Sequence, residues 1–426
     1  MKLFPIIFLA LFMTDGLLKA AISSSSRSSR FSSQKVEKKM TKLPKDQSIA
    51  SSVAVDQTNV KFPSSVGVPG IEIIAKQAIL IDEQTGAVLL ENNADELMHP
   101  SSMTKIMTAC LAVEKIKKGI IKPETLVTIG PQSWKIEGSS MFLNLNDQVS
   151  VLDLLKGIII QSGNDASIAL AHYISGSEQA FASEMTQRAH DFGATQTQFV
   201  NATGLPHDRH KTTARDLIKI ARHVIHDDRE FYSLYGEKTF TYKGITQGNR
   251  NPLLYKNLGS DGIKTGYCEV GGYGLVGTCV VQGRRYLFVI NGLASMAERS
   301  KESSKLIEWA SQNFTNCSLF KPGDGVVDIS VWNGEEDNLK LTVEKDAIFT
   351  IPYGGKQDLK VKVIYESFVA APILKGKVLG KIIVTSQFLP QPIEFPLVAA
   401  SGVKKAHFFK RLKQSFSYIV GMHPIK

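Results

Sequence analysis

His99-Pro-Ser-Ser-Met-Thr-Lys-Ile-Met-Thr108 leads into a run, residues 102–117, that holds neither Gly nor Pro and sets Ile106, Ala109, Cys110 and Val113 at helical spacing. Ser101 or Ser102 is placed to cap its start. On a helix, residues i and i+3 share a face, so the amine of Lys105 comes within hydrogen-bond reach of the Ser102 hydroxyl, an arrangement that can activate a serine nucleophile. Ser-x-x-Lys by itself is a weak signal, because it also occurs at Ser32–Lys35, Ser318–Lys321 and Ser401–Lys404. Only the copy at 102–105 lies at the start of a helix with partner motifs downstream.

Outward from this helix, Ile71 to Leu80 and Ala87 to Leu90 read as a hairpin around Asp82-Glu-Gln-Thr-Gly86. Leu152 to Ile160, Ala166 to Tyr173 and Lys301 to Phe314 read as helices. Gly262 to Cys268 and Tyr273 to Val281 read as paired strands around Gly271-Gly272. Pro322-Gly323 breaks the pattern, and beyond it Leu339–Val343 and Leu359–Val363 alternate with period two, as in a small β domain ending near Val398.

The full chain has 426 residues, 43% of them hydrophobic, enough for two folded domains with tails. Of its formal net charge of +10, residues 1–20 carry +1, residues 21–62 carry +5 and residues 402–426 carry +6, which leaves the body from 63 to 401 at −2. That body has no basic field for a phosphate backbone, and nucleic-acid binding is not expected. Met1-Lys2, the apolar run Leu3–Met13 and the small residues Ala20 and Ala21 form a secretory signal pattern, too short to span a membrane. Ser23 to Phe62, rich in Ser, Lys and Arg, reads as a flexible linker. Cys110, Cys268, Cys279 and Cys317 show no tight disulfide framework and are expected as core or free thiols. The last segment, 403–420, sets Phe409, Leu412, Phe416 and Ile419 on one helical stripe opposite Lys404, Lys405, Arg411 and Ser415, a pattern suited to the surface of an anionic membrane.

Two further short motifs join Ser102 and Lys105. Ser162-Gly-Asn164 follows an apolar helix, and Lys264-Thr265-Gly266 lies in a strand just before a Gly-rich turn. In order and spacing the trio resembles the motifs of serine β-lactamases and penicillin-binding proteins. With Gly138-Ser-Ser-Met-Phe142, Ile160–Ala166 and Asp261–Gly266, the chain resembles more closely the low-molecular-mass D-alanyl-D-alanine carboxypeptidases, over about 200 residues. That resemblance implies a transpeptidase-like α/β fold, an antiparallel sheet flanked by helices plus an all-helical region, with a small C-terminal all-β domain. The expected division is a signal peptide at 1–20, a linker at 21–67, a catalytic domain at 68–320, a β-rich domain at 321–401 and an amphipathic helix at 402–426.

The chemistry implied starts with Ser102 attacking the carbonyl between the two terminal D-alanines of a peptidoglycan stem peptide, with neutral Lys105 taking its proton. A second cation, Lys264, and partial burial are expected to keep Lys105 neutral. Ser162 would relay a proton to the departing amine, and Asn164 would hold the substrate amide or orient Lys105. By resemblance, the backbone N–H groups of Ser102 and Tyr267 form the oxyanion hole. Lys264, Thr265 and Arg299, with Arg250 as a further candidate, would bind the free carboxylate of the terminal D-alanine beside Gly266. Two departures from the family stand out: Tyr267 replaces the His that many relatives carry after Lys-Thr-Gly, and the Ser-rich linker is long.

No cofactor or metal is expected. The nine histidines show no His-Glu-x-x-His spacing, which sets aside a metallopeptidase, and His207 and His210 read as surface loop residues. A serine β-lactamase would need a Glu-x-x-x-Asn segment between Ser167 and Ser260, and none is present. A D,D-endopeptidase and a non-catalytic penicillin-binding sensor or scaffold remain as alternatives. The expected partners are stem peptides, β-lactams as covalent inhibitors and the outer face of the bacterial inner membrane, which places the protein in the periplasm.

Overall fold

Alternation along a single strand organises the catalytic half. In β1 (Gln77–Asp82) every side chain is buried, Ile79 and Ile81 on one face and Ala78 and Leu80 on the other, because successive side chains point to opposite faces of a strand. A strand buried on both faces belongs inside a sheet covered on both sides. The structure, a computed structural model, describes residues 35–37, 68 and 70–419. In it β1 sits in a five-stranded antiparallel sheet of order β2-β1-β5-β4-β3, with β2 Val88–Asn92, β3 Ser260–Cys268, β4 Gly272–Val281 and β5 Arg284–Leu293. The hairpin read around Asp82–Gly86 and the strand pair around Gly271-Gly272 are both present.

One face of the sheet carries Ile263, Val276, Leu287 and Val289 into a core shared with the helices α1 (Lys105–Lys117), α2 (Val151–Lys156), α3 (Asn164–Ser175), α4 (Glu178–Asp191) and α5 (Ala214–Asp227). The other face packs Leu275, Phe288 and Ile290 against Leu306, Ile307 and Ala310 of α6 (Met296–Asn313). The sheet is thereby a wall between two helical layers. β3, the strand with Lys264-Thr-Gly266, forms its outer edge, where unpaired backbone groups stay available to an extended ligand.

The second unit is all β and has its own core, from Leu341, Phe349, Ile382 and Leu397 among others. The strand Phe314–Phe320 follows α6 directly and pairs with Ala347–Pro352, so this unit begins at Phe314, ahead of the 321 read from Pro322-Gly323. The sequence break marks a turn inside the unit. A seven-stranded sheet completes it, with the short strand Lys35–Glu37 paired along Lys360–Tyr365. Those three residues pair through backbone groups alone, which an edge strand offers whatever the partner's side chains. The rest of the linker and the signal pattern lie outside the described residues.

The two units are tied by polar contacts. Thr85 Oγ1 lies 2.6 Å from Thr350 Oγ1, Asn316 donates to Asp82, and Arg284 pairs with Asp82 at 2.8 Å while donating to the Phe314 carbonyl. All four cysteines are buried and none is in a disulfide, as read.

Candidate active site

The chain enters α1 through a tight turn, Ser101–Thr104, whose serines make no capping bond. The Ser102 hydroxyl is used differently from the expected cap: it lies 3.2 Å from Lys105 Nζ. Lys105 is 1% exposed, and its amine also donates to Asn164 Oδ1 at 2.7 Å and to the Thr203 carbonyl at 2.6 Å. A neutral amine has two N–H bonds and one lone pair. With Asn164 and Thr203 taking the two hydrogens, the lone pair is left for the Ser102 hydroxyl.

Burial pushes the Lys105 pKa down to about 7, with the positive charge of Arg250 adding to the effect and the charges of Asp165 and Glu178 opposing it. The sequence reading gave Lys264 as the second cation. Lys264 is itself fully enclosed and driven well below its ordinary value, first by burial and then by Lys105, Arg250 and Arg299. The permanently charged neighbour is Arg250.

Each remaining element is held by local chemistry. Ser162 sits in the left-handed region at φ 64°, where the helical run through Gln161 ends, and its buried Oγ has no hydrogen-bond partner. That kink lets α3 restart at Asn164, whose Nδ2 donates to the Glu137 carbonyl while its Oδ1 faces Lys105. Next to it the buried Asp165 accepts from the Ser140 hydroxyl and from the N–H groups of Met141, Leu143 and Ala166, pinning the 138–143 loop at the rim. On the opposite wall, a Cβ on Gly266 would stand 2.9 Å from the Pro100 carbonyl oxygen. Glycine there lets β3 press against the turn that carries Ser102.

Arg299, at the start of α6, is 5% exposed, and its Nε has no hydrogen-bond partner. Arg250 donates to Ser139 Oγ at 2.7 Å. Among the described residues no carboxylate pairs with Lys105, Lys264, Arg250 or Arg299. Burial lowers the Arg299 pKa to about 10 and also lowers that of Arg250. Cations gathered without acids form a receptor for an anion.

Sequence reasoning missed the loop Asn201-Ala-Thr-Gly204, which supplies the Thr203 carbonyl. Asn201 Oδ1 accepts from the N–H groups of Thr203 and Gly204, and its Nδ2 donates to the Leu205 carbonyl. The available signal was an Asn-x-x-Gly turn, which names a bend and not a task. The histidine reading needs correction as well. His210 is fully buried, accepts the Val200 N–H at Nδ1 and meets Thr104 Oγ1 at 2.8 Å; burial lowers its pKa to about 3.

A hydroxyl beside an enclosed amine is an arrangement capable of acyl transfer, the one used by serine hydrolases with a lysine base. Comparison with known proteins narrows that class. Residues 62–294 match the family described as D-alanyl-D-alanine carboxypeptidase, and residues 314–405 match the penicillin-binding protein 5, C-terminal domain. The D-alanyl-D-alanine carboxypeptidase DacC of Escherichia coli is 39% identical over 360 residues, 82% of this chain and 90% of its own. DacA of the same organism is 38% identical over 372 residues, 85% of this chain and 91% of its own. Penicillin-binding protein 5 from Haemophilus influenzae superposes with a TM-score of 0.75 at 35% identity, covering 80% of this chain and all of that one. The chain belongs to the D-alanyl-D-alanine carboxypeptidase family of low-molecular-mass penicillin-binding proteins and is a serine-type hydrolase of that specificity.

Proposed function

We propose that Ser102 is the nucleophile of this carboxypeptidase and Lys105 its base, acting on the bond between the two terminal D-alanines of a stem peptide. The observation that carries this is the hydrogen-bond arithmetic at Lys105, two acceptors at 2.7 and 2.6 Å and one hydroxyl at 3.2 Å. As Ser102 Oγ bonds to the carbonyl carbon, its proton passes to Lys105 Nζ, and the backbone N–H groups of Ser102 and Tyr267 receive the developing oxyanion. Collapse breaks the C–N bond, and the proton held on Lys105 reaches the departing D-alanine amine through the Ser162 hydroxyl, which accepts one proton as it gives up its own. Its unpartnered hydroxyl suits a relay that pairs only when substrate is bound. Water then attacks the acyl-enzyme and frees the shortened peptide. Lys264, Thr265 and Arg299, with Arg250 behind them, hold the terminal carboxylate, and Asn164 orients Lys105.

The decisive test measures D-alanine release from a peptide ending in Lys-D-Ala-D-Ala, with and without penicillin, beside Ser102→Ala. Penicillin-sensitive release that falls at least ~10³-fold in the variant is expected. Release that survives the substitution sinks the assignment.

For location, the expected signal pattern at 1–20 and the apolar stripe of α7 (Phe408–Ile419) support export and attachment to the outer face of the inner membrane. Lys410 and Gln414 tie one side of α7 to Glu335, Asp337 and Asn333, while Phe408, Phe409, Leu412 and Phe416 stand exposed. Among the described residues no helix is long and apolar enough to cross a membrane, which suits a helix lying on the surface. Deleting residues 402–426 should move the protein from the membrane fraction to the soluble one; continued sedimentation with membranes would rule the helix out as the attachment.

A further inference from the structure

Arg299 is a buried guanidinium without an acid beside it, and what holds it is an aromatic stack. Its Cζ lies 5.7 Å from the ring centroid of Tyr273, and the Tyr273 ring lies 4.2 Å from that of Tyr267 at an interplanar angle of 30°. The two tyrosines face each other across β3 and β4, where Tyr267 pairs with Tyr273. Tyr273 is half-buried and Tyr267 is 51% exposed.

The chemistry of this support differs from that of an ion pair. A carboxylate partner would take up the N–H donors of Arg299, the same donors a ligand carboxylate needs. A ring face attracts the cation through its quadrupole and accepts none of those hydrogens in a strong bond. Among the described residues the Nε of Arg299 is without a partner, and the hydrogen bond from Nη2 to the Arg250 carbonyl is long at 3.4 Å. The donors are therefore held in place and left open.

We propose that Tyr273, backed by Tyr267, is the positioning residue that aims Arg299 at the free carboxylate of the substrate, which makes the tyrosine pair a determinant of preference for carboxylate-terminated peptides. This rests on the reading of Arg299 as a carboxylate receptor. It also gives Tyr267 a task for its side chain that is separate from its backbone N–H.

The test compares KM and kcat for a peptide ending in D-Ala-D-Ala with those for a matched ester whose leaving group has no carboxylate. Tyr273→Leu, Tyr273→Phe, Tyr267→Ala and Arg299→Ala are measured side by side. Tyr273→Leu should raise KM for the carboxylate peptide roughly 3- to 30-fold relative to the ester, the scale of a lost cation–π contact. Tyr273→Phe, which keeps the ring face, should restore the ratio. Tyr267→Ala, at an exposed position where folding is not at stake, should shift the ratio the same way by a smaller factor, and it carries the test if Tyr273→Leu does not fold. If Arg299→Ala is selective for the carboxylate peptide while neither tyrosine variant is, or if Phe fares as badly as Leu at 273, the inference falls and the carboxylate reading stands. If Arg299→Ala harms both substrates equally, the carboxylate reading falls and takes the inference with it.

Discussion

A Cβ placed on Gly204 would stand 1.8 Å from the carbonyl oxygen of Ser101, and Gly204 has φ +82°. The loop that supplies the Thr203 acceptor to Lys105 is thus pressed against the backbone of the turn that carries Ser102. Ser102 and Lys105, the proposed nucleophile and base, are thus set by one backbone contact as well as by the step from the turn into α1.

Gly204→Ala should therefore damage both fold and chemistry. The left-handed backbone alone costs an L-residue about 1–2 kcal/mol, and the clash is with main-chain atoms that cannot rotate away. We expect a lower Tm and, in the protein that remains folded, at least ~10-fold slower acylation by penicillin, read by stopped-flow. Acylation at the native rate would show that the Thr203 contact is dispensable.

The pH dependence follows from Lys105. Its neutral form is the proposed base, and its pKa of about 7 lies far below the ordinary lysine value because of burial and Arg250. Acylation should rise with pH through about 7 and then level off. Replacing Arg250 by Met removes a positive charge that disfavours protonated Lys105, so the pKa must rise and the ascending limb must move to higher pH. A pH–rate profile for kcat/KM checks this; a limb that stays put, or moves to lower pH, contradicts the assigned coupling.

Asp165, to which the proposed mechanism gives no direct step, accepts the N–H groups of Met141 and Leu143, the Ser140 hydroxyl and its neighbour's N–H. Asp165→Ala leaves buried donors without partners, a loss of roughly 2–4 kcal/mol. Denaturant unfolding should register that loss. KM should rise as the 138–143 rim loosens, because Asn164 is held by the carbonyl of Glu137, the residue just before that loop.

Much of this was legible in the sequence because it depends on periodicity and local spacing. Helical spacing brought Ser102 and Lys105 together, and period-two patterns with Gly-rich turns marked β3 and β4. The parts that were not legible come from long-range backbone packing. Thr203 contributes a carbonyl, which every residue has, and nothing in its side chain marks it. Arg250 became the cation acting on Lys105 because the fold enclosed Lys264 even more completely than composition suggests. His210, in a polar stretch, is buried because Thr104 and Val200 offer it both hydrogen bonds, a match created only when residues about a hundred positions apart meet. The boundary at Phe314 escaped notice because helix and strand join there without a turn residue.

The cluster of Lys105, Lys264, Arg250 and Arg299 has a practical side. Both lysines bind protons less readily in the folded state than in the unfolded one. The unfolded chain thus takes up more protons, and stability falls as pH drops from the ordinary lysine value near 10.5 toward 7. An anion lodged among these groups relieves that repulsion. Phosphate or sulfate in the medium should therefore raise Tm and, at the same concentrations, raise the apparent KM for the peptide, so the choice of buffer is a chemical variable of this enzyme and not a neutral background.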